Sequence, residues 1–491
     1  MTQRTVVKTD RGVVRRVLSD TPHQLKLLTA GLAAAAVLLG FVYALALGRD
    51  ASSFADLKAR TTEVSATSDL YYELNDMDAQ AANALLVGYH PADPSMVPAS
   101  VNAASSDAVY EHDRSAADAD LQQIARNVQL TAQAQKLLDN LGTYEALIAQ
   151  ALYIDENTQN EQPAAPPAAA LASYTQASAL LHSTLLPTSI QITDTDSAAV
   201  NGSYSGDHSA MTDYGYALLV LALLTGSAMY LGNRYHARKF RRRLGPLALA
   251  VIVAVVLGIT GLTTQLTEAD HLHYAKQDAY DSINALARAK AVSDDANADE
   301  SRWLLEGRSS ALQTSYFQKI SEVAGLPGVS AQDAGNDPAA YYSGLSSAVG
   351  GVHLDAGADS VSGVTLSGYL GTELDNITFP GEAQAAYEAT QAFNAYVQAD
   401  NTIRADAGRG DLAAAVAFDI GTQRGQSNYT FNQYMAKLST VIQINGTYFT
   451  AGISAGQGDL GTLTWATMVT GELLLLLFVI QAGYLRLREY R

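Results

Sequence analysis

With 491 residues, 48% of them hydrophobic, a formal charge of -18 and no cysteine, the chain has room for two or three domains. Disulfides, thiol chemistry and cysteine-ligated metals are excluded. Acids outnumber bases 49 to 31, which argues against a nucleic-acid partner, because the acidic segments would repel phosphate.

The elements follow in chain order. Residues 1–26 form a basic arm with Arg4, Lys8, Arg11, Arg15, Arg16 and Lys26, and 27–47 ("LLTAGLAAAAVLLGFVYALAL") is a first apolar span. This span is too long for the core of a signal peptide and ends without a small-x-small cleavage site, so it is expected to stay as an anchor. Further spans fall at 216–232, 246–266 and 463–484. Each approaches the roughly 20 residues that cross a bilayer core as a helix. The loop 233–245 between the second and third spans holds Arg234, Arg238, Lys239, Arg241, Arg242 and Arg243, and the tail 485–491 holds Arg486, Arg488 and Arg491. Fifteen of the 31 bases therefore sit in three short segments, which is the pattern of cytoplasmic loops. The loop bases are read as topology determinants that also meet anionic lipid headgroups. Residues 48–215 and 267–462 are then expected outside the plasma membrane, with both termini inside.

The first outer segment reads as four helices. One runs to Gly88 with apolar and small residues at spacings of three and four, and "HPADPSMVP" (90–98) breaks the chain after it. A second is expected over about 103–140 and a third over about 142–158; "QPAAPP" (162–167) turns into a fourth at "LASYTQASALLHSTLL". The second outer segment reads as helices over about 267–324, 379–408, 411–420 and 428–450. Between them, the Gly/Ser-rich insertion 327–377 reads as a long loop whose "GVTLSGYLG" suits a short hairpin. Four helices between two spans predict an antiparallel four-helix bundle.

The two segments echo each other. "NDMDAQAANALLVG" (75–88) reappears as "DDANADESRWLLEG" (294–307), with Asp76 on Asp295, Asp78 on Asn297 and Gly88 on Gly307. "VLLG" (37–40) falls on "VVLG" (255–258) in nearly the same register. The expected fold is therefore an all-α membrane protein of four transmembrane helices and two extracytoplasmic, sensor-like four-helix bundles in tandem. Leu85 and Leu86 are expected to face inward, Gly88 to end its helix, and Asp76 and Asp78 to face water or a partner. Arg302 and Trp303 stand in the second copy where the first has Asn83 and Ala84, which points to the second copy for recognition. Arg302, Trp303, Arg308, Asp76, Asp78 and Asp295 are the candidate ligand- or partner-binding residues. The plainer reading of the bases is salt bridging to nearby acids.

Chemistry finds little support. "GISAG" (452–456) and "GQGDLG" (456–461) mimic a nucleophile elbow and a dinucleotide fingerprint but lack the strand context, and are expected to be a flexible linker. Asp295, Asn297, Asp299 and Glu306 have calcium-loop spacing, yet Glu300 stands where glycine is obligatory. No cofactor, no metal site and no convergent acid, base and nucleophile are expected, so the chain does not read as an enzyme. Glu472 lies near the middle of the last span, where an unpartnered carboxylate costs at least a few kcal/mol. It is expected to hydrogen-bond Thr225, Ser227, Tyr43 or a carbonyl, as a clamp or as part of signal transmission.

Four spans, two large helical outer segments, short basic cytoplasmic segments and an alanine-rich, cysteine-free composition together resemble the GlnX family of actinobacterial membrane proteins. That resemblance implies a relay: the solute-binding lipoprotein GlnH detects amino acids outside, the four-span protein carries the state across, and the soluble kinase PknG responds. The bundles also resemble the sensory domains of chemoreceptors and histidine kinases, without the signalling helices that follow those. The short cytoplasmic segments imply a separate cytosolic protein, with the basic arm as its docking candidate. The alternative is a structural or transport-accessory membrane protein that senses nothing. A homodimer is left open.

Overall fold

A computed structural model describes residues 21–90, 103–127, 130–159, 164–355, 357 and 359–490. The basic arm up to residue 20 and most of the "HPADPSMVP" break lie outside the described residues. In chain order the helices are α1 (Thr21–Val87), α2 (Ala103–Ile124), α3 (Thr131–Glu156), α4 (Ala168–Phe240), α5 (Gly245–Leu305), α6 (Ser310–Val323), α7 (Ala331–Asn336) and α8 (Pro338–Gly350). A hairpin of β1 (His353–Leu354) and β2 (Val361–Ser362) follows, then α9 (Gly368–Asp375), α10 (Glu382–Gly408), α11 (Leu412–Asp419) and α12 (Ser427–Leu487). Among the described residues, four helices, α1, α4, α5 and α12, are long and apolar enough to cross a membrane.

Contacts divide the chain into two compact units. The spanning unit comprises Met1–Leu57, Ser203–His273 and Gly452–Arg491; the helical unit comprises Lys58–Gly202 and Tyr274–Ala451. In the spanning unit, Val37, Phe41, Leu224, Ile252 and Leu473 are exposed, the face that hydrocarbon would cover. Small residues let the helices close on one another inside: a Cβ on Gly258 would lie 2.5 Å from that of Ala222, and one on Gly471 would lie 2.6 Å from Leu257 Cδ2. The stretch 452–459, expected as a linker, continues α12. Gly456 there lies against the Phe54 ring, where any Cβ would be 2.3 Å from Cζ.

The helical unit has two cores. One gathers Leu70, Leu74, Met77, Tyr110, Leu137, Tyr144, Ile148 and Tyr174, together with Trp303, Leu304, Ile403 and Val416, so both halves of the sequence contribute to it. The other is aromatic: Tyr316, Phe317, Tyr341, Tyr342, Phe393, Tyr396, Phe431 and Tyr434 meet edge-on, tilted or stacked at 5.1–6.5 Å.

Three boundaries differ from those expected. The second helix of the first segment stops at Ile124, and a new one starts at Thr131 and runs through Gly142. The apolar positions Leu137, Leu141, Tyr144 and Ile148 keep one face buried across that glycine. The helix expected to reach 324 ends at Leu305, where Gly307 (φ 72°) and Arg308 (φ 69°) are left-handed. The amide of Arg308 bonds the Trp303 carbonyl at 2.7 Å, a Schellman closure. Gly88 (φ 73°) ends α1 in the same conformation. The insertion 327–377 is mostly helical. Ser330 and Asp333 form a capping box before α7, and Asp337 caps α8 with Pro338 at its first position. Its hairpin pairs His353–Leu354 with Val361–Ser362, while "GVTLSGYLG" holds one bridge, Gly325 to Ser367, and the start of α9.

Two glycine-to-alanine changes should move stability in opposite directions. Nothing lies within 4 Å of a Cβ on either residue, so backbone conformation alone decides. Gly307→Ala, at positive φ, should cost about 1–2 kcal/mol. Gly142→Ala, exposed within α3, should gain up to about 1 kcal/mol. Thermal unfolding of the purified full-length protein measures both.

Candidate functional site

The echoed phrases end on each other. Asp78 of α1 is completely buried, as are Asp295, Asp299 and Arg302 of α5 apart from a few per cent of their surfaces. The expectation that Asp78 faces water or a partner is therefore corrected: it is an internal counter-ion. The Arg302 guanidinium lies 3.3 Å from Asp78, 2.9 Å from Asp295 and 2.6 Å from Asp299. Lys319 of α6 bridges Asp295 and Asp299 at 2.7 and 2.6 Å. From α4, Tyr174 donates to Asp78 at 3.2 Å, and from α3 Tyr144 does so at 3.4 Å. Asn83 accepts from Ser301 at 2.7 Å, another contact between the two echoes.

His182 joins the network from a π-helical turn in α4, Leu181–Leu185, with Nε2 3.2 Å from Asp295. The wider turn re-aims one side chain out of the α-helical register. Burial works against a charged Asp295, but Lys319, His182 and Arg302 outweigh it and hold its carboxyl well below the usual range. Burial likewise opposes the Arg302 charge, and Asp299, Asp78 and Asp295 outweigh it. The guanidinium is thus occupied by protein carboxylates and sealed from solvent.

A second acidic cluster lies along α1. Glu73 and Asp76 of α1 face Asp113 of α2, and Asp294 of α5 is close to Asp76. Lys290 sits with its ammonium 3.6 Å from the Tyr72 ring centroid. Asp76 is half-buried, accepting from Gln80 at 2.8 Å and Tyr72 at 3.3 Å. Burial, then Asp76 and Glu73, push Asp113 up to about 9. Two small cavities open between α1 and α5. One of about 160 Å³ is lined by Ser68, Asp69, Tyr72, Asn284 and Lys290; the other, about 170 Å³, by Tyr71, Arg288, Glu322 and Tyr369. Sequence reasoning missed Lys319, His182 and Lys290. Only helical phase at helix ends and at a π-turn brings them in, and single-sequence spacing does not carry that.

The remaining candidates are structural or separate. Trp303 is buried under the Arg404 guanidinium, 4.6 Å from its ring, and Arg404 pairs with Asp400 at 2.8 Å. Arg308 donates to the Ala407 carbonyl at 2.7 Å, at the end of α10. Glu472, Thr225 and Ser227 do not form the expected hydrogen-bonded group. Both Glu472 oxygens and the Thr225 hydroxyl are buried without partners, and Ser227 is exposed. The Glu472 side chain instead fills the notch over Gly40, where a Cβ would meet it at 2.8 Å. Arg238, Lys239, Arg241, Arg242 and Arg243 are exposed at the end of α4 and in the turn after it; Lys239 donates to Gln24 at 2.9 Å.

Residues 53–205 match the actinobacterial sensor domain. The matched stretch runs from within α1 through α2 and α3 into α4, and includes Asp76, Asp78, Tyr144, Tyr174 and His182. The chain is similar to sensor proteins of actinobacteria, a likeness that points to sensing or signalling. No curated protein and no solved structure matches it.

Removing Arg302 leaves three carboxylates buried around one lysine. Arg302→Ala should cost about 3–5 kcal/mol, whereas Arg409→Ala, which breaks an exposed pair with Asp406, should cost at most about 1 kcal/mol. Asp113 titrates near 9 in the folded state and near 3.9 when unfolded. The folded state therefore holds the extra proton between those values, and stability falls as pH rises through that window. Asp113→Asn should flatten the slope and raise the unfolding midpoint at pH 8, read by thermal scans across pH.

Proposed function

We propose that the chain is a transmembrane signal relay. The helical unit receives an extracytoplasmic cue through a solute-binding protein, and the state passes along the long helices to a cytosolic kinase. One observation carries the reading: the Arg302 network fastens α1, α4 and α5, three of the four helices that also carry apolar spans, at one buried point. A displacement of α1 or α5 must break or exchange ion pairs in a water-poor site, and one of α4 the hydrogen bonds of Tyr174 and His182, so the helices have discrete positions rather than a continuum. The match of residues 53–205 to a sensor domain supports the same reading.

The two cavities between α1 and α5, about 160 and 170 Å³, are smaller than the roughly 300–1,000 Å³ of ordinary ligand sites. A groove of about 370 Å³ between α2 and α3, lined by Tyr89, Asp107, Tyr110, Arg114 and Glu145, is of ligand size, so the choice of a binding protein as the carrier of the cue rests on the family resemblance. The resemblance to the GlnX family supplies the partners: an amino-acid-binding lipoprotein outside and a protein kinase inside. We also infer two tandem modules of four helices each, no catalytic activity, and cytoplasmic termini. The bases flanking the second and third spans support that orientation.

Two experiments test this. In the cysteine-free chain, Ala119→Cys and Ser343→Cys should react with an impermeant maleimide on intact cells, and Ala237→Cys only after permeabilisation. The reverse pattern overturns the orientation. In a strain lacking the chain, phosphorylation by the kinase should stop following external amino acids; an unchanged response overturns the relay and leaves a structural or transport-accessory role.

A further inference from the structure

At the ends of the first and third spans, the spanning unit buries a polar cluster that the relay reading does not use. Asp50 of α1 and Gln265 and Glu268 of α5 have no exposed surface. Gln265 Nε2 donates to Asp50 Oδ2. Asp50 Oδ1, Gln265 Oε1 and both oxygens of Glu268 have no hydrogen-bond partner. Buried acceptors are ordinarily satisfied, each orphan costing about 1–3 kcal/mol. Here four acceptors stand together, and the one hydrogen bond among the three residues is already spent between Gln265 and Asp50 Oδ2.

Gln265 and Glu268 are three residues apart on one helix and share a face. Gly215 of α4 seals that side, since a Cβ on it would lie 3.1 Å from Gln265 Cβ. The register that lays "VLLG" (37–40) on "VVLG" (255–258) also lays Asp50 on Glu268. The two carboxyls are thus the same position in the two halves, brought together by packing.

The charged groups facing them are few. Arg49 and Asp207 stand near Asp50, and Asp459 near Glu268. Arg49 is engaged with Asp207 at 3.2 Å, and Asp459 with His271 at 3.2 Å. Burial pushes Asp50 up to about 7, and burial, then Asp50 and Asp459, push Glu268 up to about 8.

We propose that Asp50, Gln265 and Glu268 bind one small monovalent metal cation of the sodium class through carboxyl and amide oxygens. Hard cations take such oxygen ligands. Calcium takes roughly six to eight oxygens and magnesium keeps several waters, whereas this sealed site offers four unpartnered acceptors, which suits a singly charged ion. Complete burial of all three side chains admits a bare ion rather than an organic cation.

The inference is independent of the relay reading, and so is its test. The full-length protein in lipid nanodiscs is unfolded thermally while sodium chloride replaces choline chloride at constant ionic strength. The midpoint should rise saturably by a few degrees with sodium. The rise should vanish in Asp50→Asn and in Glu268→Gln. Equilibrium binding of radioactive sodium to the unaltered protein should give one site per chain, weakened as pH falls from 8 to 6 because protons compete. A midpoint that follows pH but not sodium overturns the proposal in favour of a proton-sharing pair. So does a sodium effect that survives in Asp50→Asn, or an absence of bound sodium.

Discussion

The helical unit depends on one constraint: Arg302 has no route to water and must be surrounded by carboxylates. A guanidinium buried to this degree is tolerable only if its charge is matched and its donors are directed. Asp299 supplies a partner from one turn earlier on the same helix, Asp295 from two turns earlier, and Asp78 from the other half of the chain. Once Asp78 is fixed, the phase of α1 against α5 is fixed as well. Leu85 and Leu86 then point into the core with Leu304 and Leu305. Asn83 comes opposite Ser301. The echo between the two phrases is thus a packing relation as well as a resemblance of sequence, with each copy supplying what the other must bury.

Much of this was legible. Periodicity located the long helices, hydropathy the four spans, and the glycine at 88 the end of α1, because each rests on local chemistry; the same signal at Gly307 was overridden by a helical period read through to 324. The exposure of Asp78 was not legible. An acid in a helical repeat reads as a solvated face unless its partner is known, and Arg302 lies in the other half of the sequence. The insertion 327–377 was misread for a different reason. Its glycines and serines mimic a loop, whereas the capping box at Ser330 and the Asp337–Pro338 start were local signals that composition overshadowed. The π-turn that aims His182 at Asp295 has no single-sequence signature, since it answers a tertiary demand for one side chain.

The same economy governs the membrane-spanning helices. Glycines at 40, 258 and 471 admit close approach, and each notch is filled: Gly40 by the Glu472 side chain, Gly258 by Ala222, Gly471 by Leu257. Glu472 was expected to find a hydroxyl partner. It finds a steric one instead, and its oxygens stay unpaired. Ser227 does not meet it, because that residue faces outward from the second span.

Unpaired buried acceptors recur at Asp113, Asp294, Glu268 and Glu472, on α2, α5 and α12. A protein selected only for stability would replace several of these with apolar residues at little cost. Keeping them makes the free energy of the fold depend on protons and cations, and on whatever changes access to them. For a rigid scaffold that dependence is a liability. For helices that must hold one of two positions and yield to a modest input, a few kcal/mol of unsatisfied electrostatics places the alternative within reach.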